Sequence, residues 1–314
     1  MKILKSVQKI PGGLMVVPLL IGAAINTFFP SALEIGGFTT ALFKSSANAL
    51  IALFCLCNAA QIDIKQVGAP LAKGIGLTAS KFILGAGLGW IVGKIFGMNG
   101  VLGITPLAII AAITNSNGGL YAALAGEYGD PSDVGAISVL SLNDGPFFTL
   151  VALGATGLAN IPYMTLVACI VPIILGLILG NLDEDLRKFL DNGTKVLIPF
   201  FAFPLGASLN FSQIFQAGIP GVLLGVICTA LTGTAGYFVM KLLKAKNPAV
   251  GAAVGTTAGN AVGTPESVSL ADPTLAAVAA VSTVQVATAV IVTAILCPIY
   301  VSFLDKRIKK KQTI

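Results

Sequence analysis

The chain has 314 residues, of which 55% are hydrophobic and only 10% are charged, and its mean hydropathy is +0.91. Soluble domains carry about 25% charged residues, so a soluble protein of this size could not cover its surface with so few charges. The net charge of +6 needs no nucleic-acid partner, because the basic residues fall in loops and in the tail, where they act as topology signals. The composition therefore predicts an all-α polytopic protein whose main partner is the lipid bilayer.

Apolar runs of roughly 15–25 residues recur along the chain and predict ten membrane-spanning helices. In chain order they cover 11–30, 40–61, 71–97, 101–127, 133–158, 162–180, 194–210, 218–243, 248–271 and 274–303. No cleavage site follows the first run, so we expect it to remain as a membrane helix. With a cytoplasmic N-terminus, 16 of the 19 Lys and Arg residues fall on the cytoplasmic side and two on the other. We therefore predict one membrane domain over 1–314, both termini cytoplasmic, and a basic cytoplasmic tail at 305–314.

Two short polar stretches interrupt apolar spans at matching places in the two halves of the chain. The fourth span contains Thr114–Gly119 (T-N-S-N-G-G), with a break predicted near 115–119, and the ninth contains Gly255–Pro265, with a break predicted near 259–265. An unwound backbone in hydrocarbon frees N–H and C=O groups that each cost several kcal/mol, so it survives only where protein, water or a ligand pairs them. Two such breaks indicate a transporter's binding site, with kinks that merely pack as the alternative. The substrate-binding candidates are Asn115, Ser116, Asn117, Gly118, Gly119, Asn260 and Thr264.

The halves of the chain also resemble each other. The stretch from Leu50 to Asp63 parallels that from Leu197 to Asn210 at an offset of 147 residues, and Asn115 parallels Asn260 at an offset of 145. Five spans per half is an odd number, so the two halves must have opposite topology. We therefore predict two inverted five-helix repeats, at about 1–158 and 159–305, with crossing broken helices 4 and 9.

Few charged residues fall inside the predicted spans. Asp144 lies in the fifth span, where a carboxylate costs roughly 2.5–3.5 kcal/mol on insertion scales, and Glu266 lies in the ninth. The chain has no histidine, so carboxylates must carry any side-chain proton coupling. Asp144 and Glu266 are thus the proton-coupling candidates, with structural pairing or helix capping as the alternatives. Lys81 could pair with Asp144, attract an anionic substrate, or extend toward the cytoplasm.

No motif of an enzyme or of an ATP-driven pump is visible. The chain lacks a Walker loop, and without histidine it has no His-based means of activating a nucleophile. All five cysteines fall in apolar runs, and the pair Cys55 and Cys57 has no second pair with which to complete a metal site. We therefore predict a protein that is not an enzyme and that binds no metal and no other cofactor.

Five stretches resemble one family of bacterial membrane proteins. They are Lys9–Met15 (K-I-P-G-G-L-M), Thr114–Tyr121 (T-N-S-N-G-G-L-Y), Gly180–Asp183 (G-N-L-D), Leu197–Phe203 (L-I-P-F-F-A-F) and Ala287–Thr293 (A-T-A-V-I-V-T). In this order, over nearly the whole chain, they are similar to the 2-keto-3-deoxygluconate permeases of bacterial inner membranes. The resemblance implies proton-coupled uptake of 2-keto-3-deoxygluconate, a sugar acid released by the breakdown of pectin and related polyuronates.

The predicted repeat is also similar to the architecture of sodium–proton antiporters and bile-acid symporters. That resemblance implies that the two breaks cross near the membrane centre. It also implies that Asn143-Asp144 replaces the acidic pair on the fifth span of the antiporters, with an amide as the first member. The alternatives to a proton symporter are therefore a cation–proton antiporter, a sodium-coupled organic-anion symporter and a passive channel.

The chemistry of the implied substrate completes the set of candidates. The substrate is a small polyhydroxy monoanion, whose hydroxyls suit Asn, Ser and Thr side chains. Its carboxylate suits the N-terminus of a half-helix, near Gly118 or Thr264, or the ammonium of Lys81. Asn143 and Lys81 therefore join the substrate-binding candidates, while the oligomeric state is left undefined by the sequence.

Overall fold

A computed structural model describes residues 2–9, 13–64, 68–143, 145–208 and 210–312. Asp144 and residues 10–12 of the first family motif lie outside the described residues. Within these ranges all regular structure is helical, and no β-strand is present. In chain order the α-helices are α1 (Ile3–Gln8), α2 (Gly13–Phe28), α3 (Gly37–Phe43), α4 (Ala47–Ala60), α5 (Ala69–Phe96), α6 (Pro106–Thr114), α7 (Gly118–Tyr128), α8 (Pro131–Gly135), α9 (Ile137–Leu140), α10 (Phe147–Thr156), α11 (Tyr163–Leu182), α12 (Glu184–Asp191), α13 (Gly193–Ala207), α14 (Phe211–Leu242), α15 (Thr264–Ala271) and α16 (Ala276–Gln312). Short 3₁₀ helices lie at Pro30–Leu33, Ser141–Asn143, Pro248–Val254, Gly259–Gly263 and Pro273–Leu275.

Four of the described helices, α5, α11, α14 and α16, are long and apolar enough to cross a membrane. Three bent pairs raise this number to as many as seven if each pair forms one span: α3 with α4, α6 with α7, and the segment 131–143 with α10. The helices in the first, seventh and ninth predicted spans are shorter, with 16, 15 and at most 8 residues. The described helices agree with a polytopic membrane protein, and the full set of ten spans remains a prediction.

Besides the fourth and ninth spans, two more of the predicted spans are not continuous helices. In the second, α3 and α4 meet at 58°, and the hydroxyl of Ser46 between them donates to Leu42 O. In the fifth, the segment 131–143 and α10 meet at 61°. There Gly145 has a φ of +83°, a left-handed backbone that glycine tolerates, and Pro146 has no N–H to donate. Polar stretches at 44–48 and 141–146 mark these interruptions in the sequence, but the predicted spans 40–61 and 133–158 run across them.

The helices pack into two groups. The four-helix group consists of α2, α4, α11 and α13, in which α2 packs along α13 and α4 packs against both α11 and α13. The crossing group consists of α5–α10 and α14–α16 with the 3₁₀ helices between them; here α5 packs along α6, and α14 packs along α16 and Pro248–Val254. The groups meet where Gly259–Gly263 contacts α4 and α13, and where α10 contacts α11.

Glycines allow helices of the four-helix group to approach closely. A Cβ atom added to Gly206 of α13 would lie 1.9 Å from Leu19 O of α2, and one added to Gly180 of α11 would lie 1.9 Å from Ala60 O of α4. Such close backbone contact is typical of membrane proteins, where lipid provides no hydrophobic drive between helices. In the predicted repeat, α2 and α13 are spans 1 and 7, and α11 and α4 are spans 6 and 2. Span 1 is equivalent to span 6 and span 7 to span 2, so equivalent helices make the same kind of contact.

The two interrupted segments begin with matching polar caps. Thr105 and Asn247 each precede a proline, at Pro106 and Pro248. The Thr105 side chain accepts a hydrogen bond from the N–H of the residue three positions later, and the Asn247 side chain accepts one from the N–H two positions later. Each cap thus pairs an N–H that has no acceptor within its own helix. The two caps are separated by 142 residues.

The same segments also end in matching turns, again 142 residues apart. In Asp130-Pro131-Ser132 and Asp272-Pro273-Thr274, the third residue donates both its N–H and its hydroxyl to Oδ1 of the aspartate. The hydrogen bond from the hydroxyl is the main reason why the pKa of Asp130, and likewise that of Asp272, lies below its usual range. The sequence D-P-S/T therefore builds one local structure at two equivalent positions.

Candidate functional site

The polar stretch predicted in the fourth span does interrupt its helix. α6 ends at Thr114 and α7 begins at Gly118, and the two helices meet at 44°. Asn117 is the N-cap of α7, and its Oδ1 accepts a hydrogen bond from Leu120 N at 3.0 Å. The N–H groups of Gly118 and Gly119, in the first turn of α7, have no intrahelical acceptor.

The second interruption lies earlier than the sequence predicted. The 3₁₀ helix Pro248–Val254 stops before Gly255, residues 255–258 are non-helical, and Gly259–Gly263 form a further 3₁₀ helix that leads into α15. The prediction had placed the break near 259–265, where Gly and Pro residues are concentrated. Pro265 instead occupies the first turn of α15, where its missing N–H needs no partner.

The two interrupted segments contact each other through backbone groups that the breaks set free. The N–H of Asn117 donates to Thr256 Oγ1 at 3.0 Å, and the hydroxyl of Thr257 donates to Ala112 O at 3.1 Å. The N–H of Thr257 is paired in turn by Thr293 Oγ1 of α16, at 3.1 Å. Each segment thus supplies hydrogen-bond partners that the other has lost from its own helix.

Lys81 of α5 completes this junction. Its side chain is fully buried, and its ammonium donates to Val254 O and to Thr256 O, both at 2.8 Å. These carbonyls end the first half of the ninth span. A positive charge there also interacts favourably with the negative end of the helix dipole. Lys81 therefore does not extend toward the cytoplasm, and it forms no ion pair with any described residue.

A cavity of about 490 Å³ opens beside this junction. One wall belongs to the crossing group and contains five of the predicted substrate-binding residues: Ser116, Asn117, Gly118, Gly119 and Asn260. The opposite wall belongs to α4 and α13 of the four-helix group and carries polar side chains, notably Asn58, Gln61, Thr194 and Lys195. The cavity volume lies within the range of about 300–1,000 Å³ that is typical of small-molecule sites.

Three other predicted site residues lie behind the cavity wall. Asn115 is fully buried, and its Nδ2 donates to Ala111 O at 3.1 Å, while its Oδ1 has no partner among the described residues. Asn143 donates to Ser116 Oγ at 3.2 Å, so it supports a residue that lines the cavity. Lys81, whose ammonium donates to Val254 O and Thr256 O, is likewise not a lining residue.

The remaining candidates lie on the second half of the ninth span. Thr264 begins α15 and is fully buried, and Glu266 stands in the first turn of α15. The Glu266 Oε2 atom is buried without a hydrogen-bond partner among the described residues. The structure does not bring either residue to the cavity. Asp144, the other proton-coupling candidate, lies outside the described residues.

The geometry can now be compared with known proteins. A model of the 2-keto-3-deoxygluconate permease family matches residues 4–310. The chain belongs to this family. It is 53% identical over 307 residues to 2-keto-3-deoxygluconate permease 1 of Salmonella typhimurium, which covers 98% of this chain and 96% of the relative. It is 40% identical over 318 residues to the 2-keto-3-deoxygluconate permease of Bacillus subtilis, covering 99% and 96%, and 40% identical over 321 residues to that of Pectobacterium atrosepticum, covering 99% of both chains.

The family resemblance predicted from the five sequence motifs is thereby confirmed. Membership in a permease family, together with the long apolar helices, identifies the chain as an integral membrane protein. Its relatives are named permeases, and permeases are transporters rather than enzymes.

Sequence reasoning missed several residues of this candidate site. Thr256 and Thr257 make the contacts between the interrupted segments, and Asn58, Gln61 and Lys195 belong to the second wall. A signal existed for two of them, because Asn58 and Gln61 are polar residues three positions apart in a predicted apolar span and therefore share one helix face. No sequence signal pairs that face with the interrupted segments.

A second cavity, of about 480 Å³, lies at the other end of α4. Phe54, Asn58 and Gln61 line the first cavity, whereas Asn48, Ile51 and Cys55 line the second. The second cavity lies between α4 and α11 on one side and α15 on the other, with Cys169, Ser267 and Leu270 among its lining residues. Both cavities therefore lie along the interface between the four-helix group and the crossing group.

The role of Lys81 at the junction can be tested by Lys81→Met, which keeps an unbranched apolar stem but removes the donor. Two buried carbonyls would lose their partner, and each unsatisfied group costs about 1–3 kcal/mol. We expect the detergent-solubilised variant to melt several degrees below the wild-type protein in a thermal unfolding assay.

Lys94→Met is the matched control, because Lys94 lies on the same helix but is exposed. It should melt with the wild-type protein. A Lys81→Met variant that is as stable as Lys94→Met would show that the junction does not need this donor.

Proposed function

We propose that the protein is a secondary active transporter that imports 2-keto-3-deoxygluconate by proton symport across the bacterial inner membrane, with both termini cytoplasmic. The observation that carries the proposal is the cavity into which both interrupted segments project polar groups. Membership in the permease family, and the printed names of relatives up to 53% identical, support the substrate. The pathway that brings the sugar acid to this site follows from the positions of the two cavities.

The walls of the first cavity suit a small sugar acid. Asn117, Asn260 and Ser116 offer amide and hydroxyl groups to the substrate's hydroxyls. The N–H groups of Gly118 and Gly119 stand at the positive end of the α7 dipole, where they can donate to the keto and hydroxyl oxygens of the substrate. Because both residues are glycines, neither has a side chain of its own that would cover these N–H groups from a ligand.

Two features support the proposed inverted repeat of five plus five helices. The Asp-Pro-Ser/Thr turns and the polar caps before proline occur at the two ends of both interrupted segments, 142 residues apart. The glycine contacts of α2 with α13 and of α11 with α4 relate helices that the repeat makes equivalent. If a span were inserted into one half only, neither the turns and caps nor the glycine contacts would fall at equivalent positions.

We further propose that the two helix groups move against each other and so expose the site to each side in turn. The two cavities lie at opposite ends of α4, and apolar side chains separate them. Among these, Phe54 packs edge-on against Phe201 at 5.4 Å between ring centroids, and Ile51 lies against Gly263. Since the first cavity opens beside the basic N-terminal side, this conformation is the inward-facing one in the proposed orientation.

The proposed activity can be tested by uptake of labelled 2-keto-3-deoxygluconate into proteoliposomes. We expect accumulation above the external concentration when a proton gradient is imposed, because symport couples entry to the downhill movement of protons. Accumulation under a sodium gradient alone would favour a sodium-coupled symporter instead. Equilibration without accumulation under either gradient would indicate a channel, and pH changes driven by cations without substrate would indicate an antiporter.

The proton-coupling candidates can be tested by Asp144→Asn and Glu266→Gln. We expect each variant that removes a coupling carboxylate to lose accumulation driven by a proton gradient but to keep exchange of labelled for unlabelled substrate. Glu127→Gln is the matched control, because Glu127 is exposed at the end of α7. Normal accumulation by Asp144→Asn or by Glu266→Gln would remove that residue from the coupling mechanism.

Native cysteines allow a test of alternating access. Cys169 lines the second cavity, so a charged, membrane-impermeant methanethiosulfonate added on the side opposite the termini should react with it and inhibit uptake. Cys55 lines the same cavity, so the variant that should resist the reagent is the double variant Cys55→Ser with Cys169→Ser. Cys228 and Cys297 are fully buried in the crossing group and serve as internal controls that should stay unlabelled in the mass spectrum. Equal inhibition of the double variant, or reaction only from the side of the termini, would contradict the proposed path.

A further inference from the structure

We infer that Lys195 of α13 is the residue that recognises the carboxylate of the sugar acid in this conformation. The inference rests on the proposed function, because it assigns a specificity-determining side chain to the proposed substrate site. The residue lies on the four-helix wall, opposite the interrupted segments.

The charges of the cavity single out this residue. Among the described lining residues, only Asp191 and Lys195 carry formal charges, so Lys195 is the one cation that a bound anion can meet there. The described residues of the crossing-group wall contribute only neutral groups, among them amides, hydroxyls and glycine backbone. A monoanion placed against that wall alone would be held by dipoles without a counter-charge.

Lys81 cannot take this role in the conformation described here. Its ammonium is fully buried and already donates to two backbone carbonyls, Val254 O and Thr256 O. Releasing it toward a ligand would leave both carbonyls unpaired in the membrane interior, at a cost of about 1–3 kcal/mol for each. Lys81 thus shapes the junction, and the charge available to a substrate lies elsewhere.

The position of Lys195 on its helix directs it to the cavity. Thr194, Lys195 and Ile198 of α13 all line the cavity, and Ile198 follows the other two by four and three residues, which places the three along one face. Asp191, the last residue of α12, lines the cavity as well. Lys195 is solvent-exposed and forms no ion pair with a described residue. By contrast, Lys188 on the preceding helix is paired with Glu184 at 2.9 Å. The Lys195 ammonium is therefore both accessible and uncommitted.

The two walls belong to helix groups that we propose move against each other. A substrate that touches Asn117 on one wall and Lys195 on the other bridges the groups only while the cavity is open on this side. Lys195 should therefore raise the affinity of this conformation for the substrate. The contact is electrostatic, and solvent and salt partly screen it.

The test is binding of labelled 2-keto-3-deoxygluconate to the purified full-length protein in detergent. We expect Lys195→Gln to weaken binding about fivefold, in line with a partly solvated charge contact, and Lys195→Arg to retain wild-type affinity. Lys188→Gln is the matched control, because it removes a positive charge that is 68% exposed and lies outside the cavity. Its affinity should equal that of the wild type.

A neutral analogue separates charge from structure. The amide of the substrate, used as a competitor, should bind wild-type and Lys195→Gln protein equally. Raising the salt concentration should weaken binding of the acid to the wild-type protein and to Lys195→Arg, but not to Lys195→Gln. Wild-type affinity of Lys195→Gln for the acid, or an equal loss for the acid and the amide, overturns the inference and leaves the proposed function intact. Failure of the wild-type protein to bind the acid at all overturns the proposed function, and the inference with it.

Discussion

An interrupted helix persists inside a membrane only if other atoms pair the backbone groups that the interruption sets free. In this protein the two interrupted segments pair each other, through Asn117 N with Thr256 Oγ1 and Thr257 Oγ1 with Ala112 O. Lys81 adds two more hydrogen bonds to the second segment. Neither segment could unwind in this way alone, so the polar cavity beside them exists only because both are present.

Two side chains of unequal donor strength lie at this junction, the ammonium of Lys81 and the thiol of Cys228. Cys228 also faces the ends of broken helices, with its Sγ 3.7 Å from Ala112 O and 3.8 Å from Thr256 O. A thiol is a weak donor, whereas an ammonium is a strong one. The second interruption, with more of its backbone outside α-helix, is the one that receives the stronger donor.

The sequence predicted the existence of the interruptions better than their position. Glycine and proline mark where a helix can break, yet residues 255–258 unwind while Gly263 and Pro265 lie in or beside a helical turn. Which residues unwind depends on the partners available across the junction, and these come from more than 130 residues away. The side chain of Asn115, a predicted substrate-binding residue, depends on its local partners in the same way. Its backbone is part of the interruption, but its side chain turns back to Ala111 O.

The second wall of the cavity could not be predicted because no local pattern reports which helix faces which. In the sequence, Asn58 is a polar residue in an apolar span, and Lys195 is one of the basic residues that set the orientation of the chain. Both interpretations hold for each helix considered alone. Only the packing of α4 and α13 beside Gly259–Gly263 turns these faces toward the interrupted segments. The second and fifth spans show the converse, since Ser46 and the pair Gly145-Pro146 act locally, within polar stretches at 44–48 and 141–146 that the predicted spans run across.

The placement of the two lysines suits a protein that must release an anion as well as bind it. A cation buried at the junction, like Lys81, is fixed by its hydrogen bonds and keeps the same partners however the cavity is filled. A cation on the opposite wall, like Lys195, contacts a ligand only while the two helix groups stand in one arrangement. If the groups move as proposed, that contact is made on one side of the membrane and lost on the other. Charge recognition then differs between the two states, and a differential contact of this kind is what any ligand-linked change of conformation requires.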